Sequence, residues 1–182
     1  AAVTIRENEA AIIEGAFREG YIKPRKIRRN GKRVAVIGSG PAGLATANQL
    51  NRMGYEVTVF EKHEAAGGLL RYGIPNFKLH KAVIDRRIRL MEQEGIIFTY
   101  NSNPFVSKSD KSGSYSEPMV NKFKHDGNFD AVCLCTGAET PRDLAIDGRE
   151  LGGIHFAMDL LSQQNRVLGG ISIPQEKQIL SL

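Results

Sequence analysis

From Lys32 onward, short apolar runs alternate with longer stretches of helical spacing. Val34-Ala-Val-Ile37 and Val57-Thr-Val-Phe60 are four-residue runs rich in β-branched residues, the pattern of buried strands. Between them, residues 41–53 carry apolar positions at helical intervals, with Pro41 at the first helical position and Gly54 as the stop. A strand, a helix and a second strand so closely spaced predict a parallel pair with a right-handed crossover. Residues 80–94 repeat the helical signature, with Val83, Ile84, Ile88 and Met91 on one stripe and Gly95 closing it. Ile96 to Tyr100 and Ala131 to Thr136 read as third and fourth strands, and 155–164 as a last helix. The fold predicted is α/β, a Rossmann-like three-layer arrangement around a parallel sheet.

Ahead of this unit, residues 4–19 read as a helix, a short N-terminal appendage. Thr4 and Glu7 form a potential capping box, and Ile5, Ile12, Ile13, Ala16 and Phe17 keep helical spacing. Gly15 weakens it by about 1 kcal/mol relative to alanine, and Gly20 ends it. Residues 67–79 show no regular period. The polar stretch 101–128 has a serine-rich centre at 107–116, with a short helix expected to start near Ser116. Stretches of this kind are more often surface excursions than sites.

The formal net charge of +5 suggests nucleic acid only until its distribution is considered. Seven of the 25 basic residues lie between Lys23 and Arg33, with no acid among them, leaving 18 to face the 20 acids. No aromatic residue is interleaved there to stack on bases. The segment is expected to be a solvated linker, or a contact with an acidic partner, and not a nucleic-acid site. No apolar run approaches the roughly 18 residues that span a bilayer, and the N-terminus lacks a secretory pattern, so a cytoplasmic location is expected. Cys133 and Cys135 are one residue apart in a strand, hence on one face. That spacing suits buried strand cysteines better than a redox pair or a metal knuckle.

The strongest chemical signal is Gly38-Ser39-Gly40-Pro41-Ala42-Gly43, placed between the first strand and its helix. Gly38 allows the tight turn, Gly40 the approach of a pyrophosphate to bare backbone, and Gly43 the close packing of helix on sheet. The helix N-terminus adds free N–H groups and the positive dipole end. Glu61 lies 18 residues after Gly43, at the tip of the second strand, where a carboxylate accepts from ribose hydroxyls and disfavours a 2′-phosphate. Strand, loop, helix and acid together make a dinucleotide site. FAD and NAD both use such a loop.

The residues beyond Glu61 narrow the choice by resemblance. The 38–43 loop, Val-Thr-Val-Phe-Glu-Lys at 57–62, the run Gly67 to Leu79, Leu134-Cys-Thr-Gly-Ala138 and Ile154-His-Phe-Ala-Met-Asp159 are the carrying residues. With them, the stretch Lys32 to Arg166 resembles the first flavin-binding half of the small (beta) subunit of NADPH-dependent glutamate synthase. Relatives of that subunit include dihydropyrimidine dehydrogenase and the adrenodoxin-reductase-like flavoproteins. The resemblance implies FAD on the loop Gly38, Ser39, Gly40, Pro41, Ala42 and Gly43, with Glu61 on the adenosine ribose and Lys62 beside it. It implies that Gly67 to Pro75, with Gly68 and Leu69, passes near the pyrophosphate and isoalloxazine, that Lys78 faces the cofactor, and that Thr136-Gly137 makes a second backbone approach. Tyr72 and Phe77 are read as packing residues.

The resemblance also assigns 1–31 to the end of an N-terminal iron–sulfur-type helical domain plus a basic linker, 32–168 to an incomplete FAD-binding domain, and 169–182 to a linker toward an NADPH-binding domain. In such enzymes NADPH reduces FAD, and electrons pass through 4Fe-4S clusters to a large (alpha) subunit that makes glutamate. The cluster-binding cysteines and a second glycine-rich loop are not found in this sequence, and the 101–128 segment matches poorly. The chain alone is therefore expected to bind FAD without completing turnover with NADPH. No Ser-His-Asp set, paired catalytic acids or metal cluster among His63, His80, His125 and His155 is discernible, so no catalytic or metal-ligating side chain is assigned; the flavin carries the redox chemistry. An NAD-dependent dehydrogenase or a non-catalytic docking module with a structural nucleotide remain the rival readings.

Overall fold

In the computed structural model, residues 3–105, 117–138, 140–174 and 178–179 are described; the serine-rich centre falls outside them. The elements run α1 (Ile5–Arg18), β1 (Arg33–Ile37), α2 (Pro41–Arg52), β2 (Glu56–Phe60), α3 (Leu69–Tyr72), α4 (Lys81–Gln93), β3 (Ile97–Thr99), α5 (Glu117–Asp126), β4 (Ala131–Leu134) and α6 (Ala157–Leu168). The four strands form one sheet in the order β3-β2-β1-β4, and every pairing is parallel. Val34 pairs with Val57 on one side and Ala131 on the other, so β1 is a central strand and is buried almost throughout. The predicted α/β class and parallel pair are borne out.

Burial on both faces of the sheet produces the three layers. On one face Val36, Val57 and Val59 pack with Ala47 of α2, Met91 of α4 and Ile96. Cys133 and Cys135 join that side together, as their spacing predicts, and burial, then the neighbouring Cys135, pushes the Cys133 thiol up. On the other face Ala35 and Ile37 meet an aromatic group of Phe60, Phe105, Phe123 and Phe129. Phe123, from α5, lies edge-on to Phe60 at 5.3 Å and to Phe105 at 5.1 Å, geometry that favours aromatic pairs.

Three expectations need correction. Thr4 stands at the start of α1 but its side chain makes no capping hydrogen bond; its φ of −107° with ψ of 29° is not the extended conformation a capping hydroxyl requires. The basic stretch is not wholly a solvated linker. Arg29 donates to Asn51 Oδ1 at 2.5 Å, to Tyr55 O at 2.7 Å and to Glu94 O at 2.9 Å, so it ties the ends of α2 and α4 together. Phe77 is not a packing residue: it is 85% exposed, whereas Tyr72 is buried as expected. The 67–79 run contains the single-turn helix α3, too short to leave a periodic trace.

Candidate functional site

The site lies where the carboxyl ends of β1, β2 and β4 face the start of α2. Gly38 leaves β1 with φ of 98°, a conformation that disfavours any side chain. A Cβ there would lie 2.4 Å from Cys135 O, and one on Gly43 would lie 1.9 Å from Gly38 O. Both glycines are therefore demanded by the chain's own packing, the first by turn and strand, the second by helix on loop. Gly40 differs: its φ is −65° and a Cβ would meet nothing within 4 Å. A Cβ on Gly68 would lie 2.7 Å from Gly40 Cα, so the two backbones run in contact. Gly137, past the end of β4, has φ of 73° and also faces open space. Thr136 adjoins Gly38, its Cα 3.3 Å from where a Gly38 Cβ would be.

Ser39 is fully buried and organises the corner. Its N–H donates to Glu61 Oε2 at 3.0 Å, and its hydroxyl makes a short bond to the same oxygen. The N–H of Gly67 donates to Ser39 O at 3.1 Å and lies 3.2 Å from Ser39 Oγ. One serine thus fixes the loop to the acid at the tip of β2 and to the start of the Gly67-Gly68 segment. Glu61 is 4% exposed and turned toward the loop, with its Oε1 accepting from His63 N–H at 2.9 Å. That oxygen retains a second lone pair. The N–H groups of Ala42 and Gly43, in the first turn of α2, have no intrahelical acceptor, as at any helix start.

Of the residues singled out in the sequence, Gly38 to Gly43, Glu61, Gly68, Thr136 and Gly137 converge on this corner. Lys62 and Leu69 are exposed beside it. Lys78 lies further on, in the turn after α3, exposed and with its ammonium 5.9 Å from the centre of the Phe77 ring. A second group, His63, Glu64, Tyr72 and Arg166, carries no sequence signal of a site. Arg166 reaches from α6 to Glu64 at 3.3 Å, His63 Nδ1 at 3.2 Å and the Tyr72 ring at 4.7 Å. Burial holds His63 below its ordinary range, the Glu61 charge opposing. Burial, then the Glu64 charge, raises the Tyr72 phenol. Burial pushes Glu64 up, but hydrogen bonds from its own backbone, Tyr72 and Arg166 outweigh it and hold the carboxyl below its ordinary value. Arg166 and Glu64 are more than a hundred positions apart in sequence, so no local spacing announces the group. Among the described residues no cluster of His, Cys, Asp and Glu suited to a metal is formed, and no helix is long and apolar enough to cross a membrane.

Parallel strands, a glycine loop opening a helix and an acid at the tip of the second strand define a dinucleotide-binding protein of the Rossmann-like class. The chain belongs to the pyridine nucleotide-disulphide oxidoreductase family, whose profile matches residues 32–169. It is 49% identical to the glutamate synthase (NADPH) small chain of Bacillus subtilis over 88% of this chain and 30% of that protein. It is 47% identical to the small chain from Mycobacterium tuberculosis, over 96% of this chain and 33% of the relative. The resemblance read from the motifs is borne out. The chain spans about a third of the length of these relatives. Among solved structures, FprA of Mycobacterium tuberculosis in complex with NADPH superposes with a TM-score of 0.57 at 22% identity, covering 74% of this chain and 29% of FprA, a likeness of fold.

Proposed function

We propose that this chain is the FAD-binding part of an NADPH-dependent flavoprotein oxidoreductase of the glutamate synthase small-chain type. The observation that carries the reading is Gly40. Nothing in the chain's own packing forbids a side chain there, yet the position, at the mouth of a helix N-terminus and in contact with Gly68, is glycine. Backbone-lined space of this kind fits a diphosphate, which a Cβ would displace. In this reading the free N–H groups of Ala42 and Gly43 bind phosphate oxygens. Glu61, held in place by Ser39, takes a ribose hydroxyl on the open lone pair of Oε1. Gly67 to Leu69 and Thr136-Gly137 flank the pyrophosphate and the ring system, with Lys62 and Lys78 nearby. Bound FAD would supply hydride acceptance and single-electron release; the residues named here bind, orient and shield it.

The names of the small-chain relatives support two further parts of the reading, NADPH as reductant and a large subunit as partner; the clusters and the location complete the proposal. NADPH as reductant, 4Fe-4S clusters as acceptors, a large glutamate synthase subunit as partner and a cytoplasmic location belong to the full-length enzyme. Residues 1–31 would be the end of the cluster-bearing domain with its linker, 32–168 the FAD domain, and 169–182 the passage to the NADPH domain.

The test is the visible absorption spectrum of the purified chain, with chemical identification of any released nucleotide. A yellow protein releasing FAD is expected; released NAD, or no nucleotide and no uptake of added FAD, would overturn the reading. Gly40→Val is expected to weaken FAD binding at least a hundredfold while leaving the urea midpoint close to wild type, because its backbone conformation accepts any residue. The chain alone is expected to show no steady-state NADPH oxidation.

A further inference from the structure

The 63–72 segment joins the two halves of the proposed crevice. At one end His63 N–H donates to Glu61; further along, Gly67 bonds to Ser39 and Gly68 abuts Gly40. The segment itself is a run of bends and one helical turn, too short to hold its own shape. It is held from outside by α4, where Arg71 pairs with Asp85 and Ala66 and Leu70 pack on Ile84 and Ile88, by Asn101, whose N–H donates to His63 O at 3.0 Å, and by α6. Asn165, 8% exposed, donates through Nδ2 to Tyr72 O at 3.0 Å. Arg166 comes next, with its three contacts to Glu64, His63 and the face of Tyr72, whose ring in turn lies 4.9 Å from that of His63. One guanidinium thus touches the segment at both of its ends.

We infer that Arg166 is a positioning residue: it clamps residues 63–72 against the glycine loop and so keeps Glu61 and Gly67-Gly68 in place for the dinucleotide, without touching it. The role in binding rests on the function proposed above; the clamp does not. The planar fork of arginine suits a site that combines a carboxylate, a ring nitrogen and an aromatic face, and lysine does not reproduce it.

The clamp has a built-in pH dependence. His63 accepts from Arg166 only as neutral imidazole. It is surrounded by Glu61 and Lys62, which follow β2, Glu64 from its own segment, Tyr72 from α3 and Arg166 from α6. Burial keeps it neutral below the ordinary histidine value of 6.5. Because the clamped state lowers the affinity of His63 for a proton, the clamp is at full strength above that value. It weakens as pH falls through it toward the lowered one, when a second cation faces Arg166.

Hydrogen exchange of the ligand-free full chain, corrected for intrinsic rates, tests the clamp. Arg166→Ala is expected to speed exchange at least tenfold at the amides of Gly67, Arg71 and Tyr72, with β1 and α2 unchanged. Lowering the pH from about 7.5 to about 5.5, across the ordinary histidine range, is expected to produce the same local change in the wild type and none further in Arg166→Ala. Arg166→Lys is expected to shift exchange in the same direction as the alanine variant. Unchanged exchange in 63–72, uniform loss of protection across β1 and α2, or equal pH sensitivity in wild type and variant would each overturn the clamp. FAD titration then tests its purpose: about tenfold weaker binding is expected for Arg166→Ala. Equal FAD affinity beside a confirmed local opening would sink the link to binding. No FAD binding by the wild type would sink the proposed function and leave the exchange result to decide the clamp.

Discussion

Helices α1 and α2 are of similar length and both are legible from apolar spacing, yet only one is part of the core. Helix α2 lays Gly43, Ala47 and Asn51, each four residues apart, under the sheet, and all three are buried. No residue of α1 is fully buried: Ala16 and Phe17 are half-buried, and Ile5, Ile12 and Ile13 remain 64%, 72% and 44% exposed. Its attachment to the domain runs instead through Arg86, which pairs with Glu14 at 2.6 and 2.7 Å and covers the Phe17 ring at 3.8 Å. Spacing specifies that a helix forms. The size of the residues on its stripe, and a connection that brings it to a sheet, decide whether it is buried. Small residues at Gly43 and Ala47 let α2 approach the strands closely, and the short passage from β1 leaves it no other place.

The contrast can be broken first at its tightest point. Gly43→Ala sets a methyl 1.9 Å from Gly38 O, a backbone atom that cannot yield cheaply. A loss of about 3 kcal/mol in urea unfolding is expected, and a loss below about 1 kcal/mol would mean that α2 stands further from the loop than described. Next comes Arg29→Ala, which removes the donor from Asn51, Tyr55 O and Glu94 O at once. Leaving these acceptors partly buried is expected to cost about 2 kcal/mol, measured the same way. Arg28→Ala, at an exposed neighbour, serves as the control and is expected to be near neutral. The smallest effect is expected from Ile12→Ser with Ile13→Ser in α1, within about 0.5 kcal/mol of wild type. A larger loss would show that α1 packs on the domain through its apolar face as well.

Much of the candidate site is readable in the sequence because its requirements are local. The turn at Gly38, the bare backbone at Gly40 and the packing at Gly43 fall within six residues, and Glu61 is one crossover away. What spacing could not reveal is the orientation of Glu61. Its carboxylate is held by Ser39, whose side chain looks ordinary in sequence but is wholly buried. Nor could composition separate Arg29 from its basic neighbours, since its difference lies in facing the ends of α2 and α4 and not in its type. The capping box at Thr4 and Glu7 is a residue pattern without the backbone conformation that makes it work.

By itself the sequence determined the parallel βαβ unit, the glycine loop with its acid, and the family, because each depends on contacts between near neighbours and on residue types with few substitutes. Only the tertiary structure decided that no residue of α1 is fully buried, that Ser39 locks Glu61 to the loop, and that Arg166 meets His63, Glu64 and Tyr72 from a distant part of the chain. Such pairings are chosen by how elements pack in three dimensions, and side-chain chemistry alone carries no record of the distance a partner will travel.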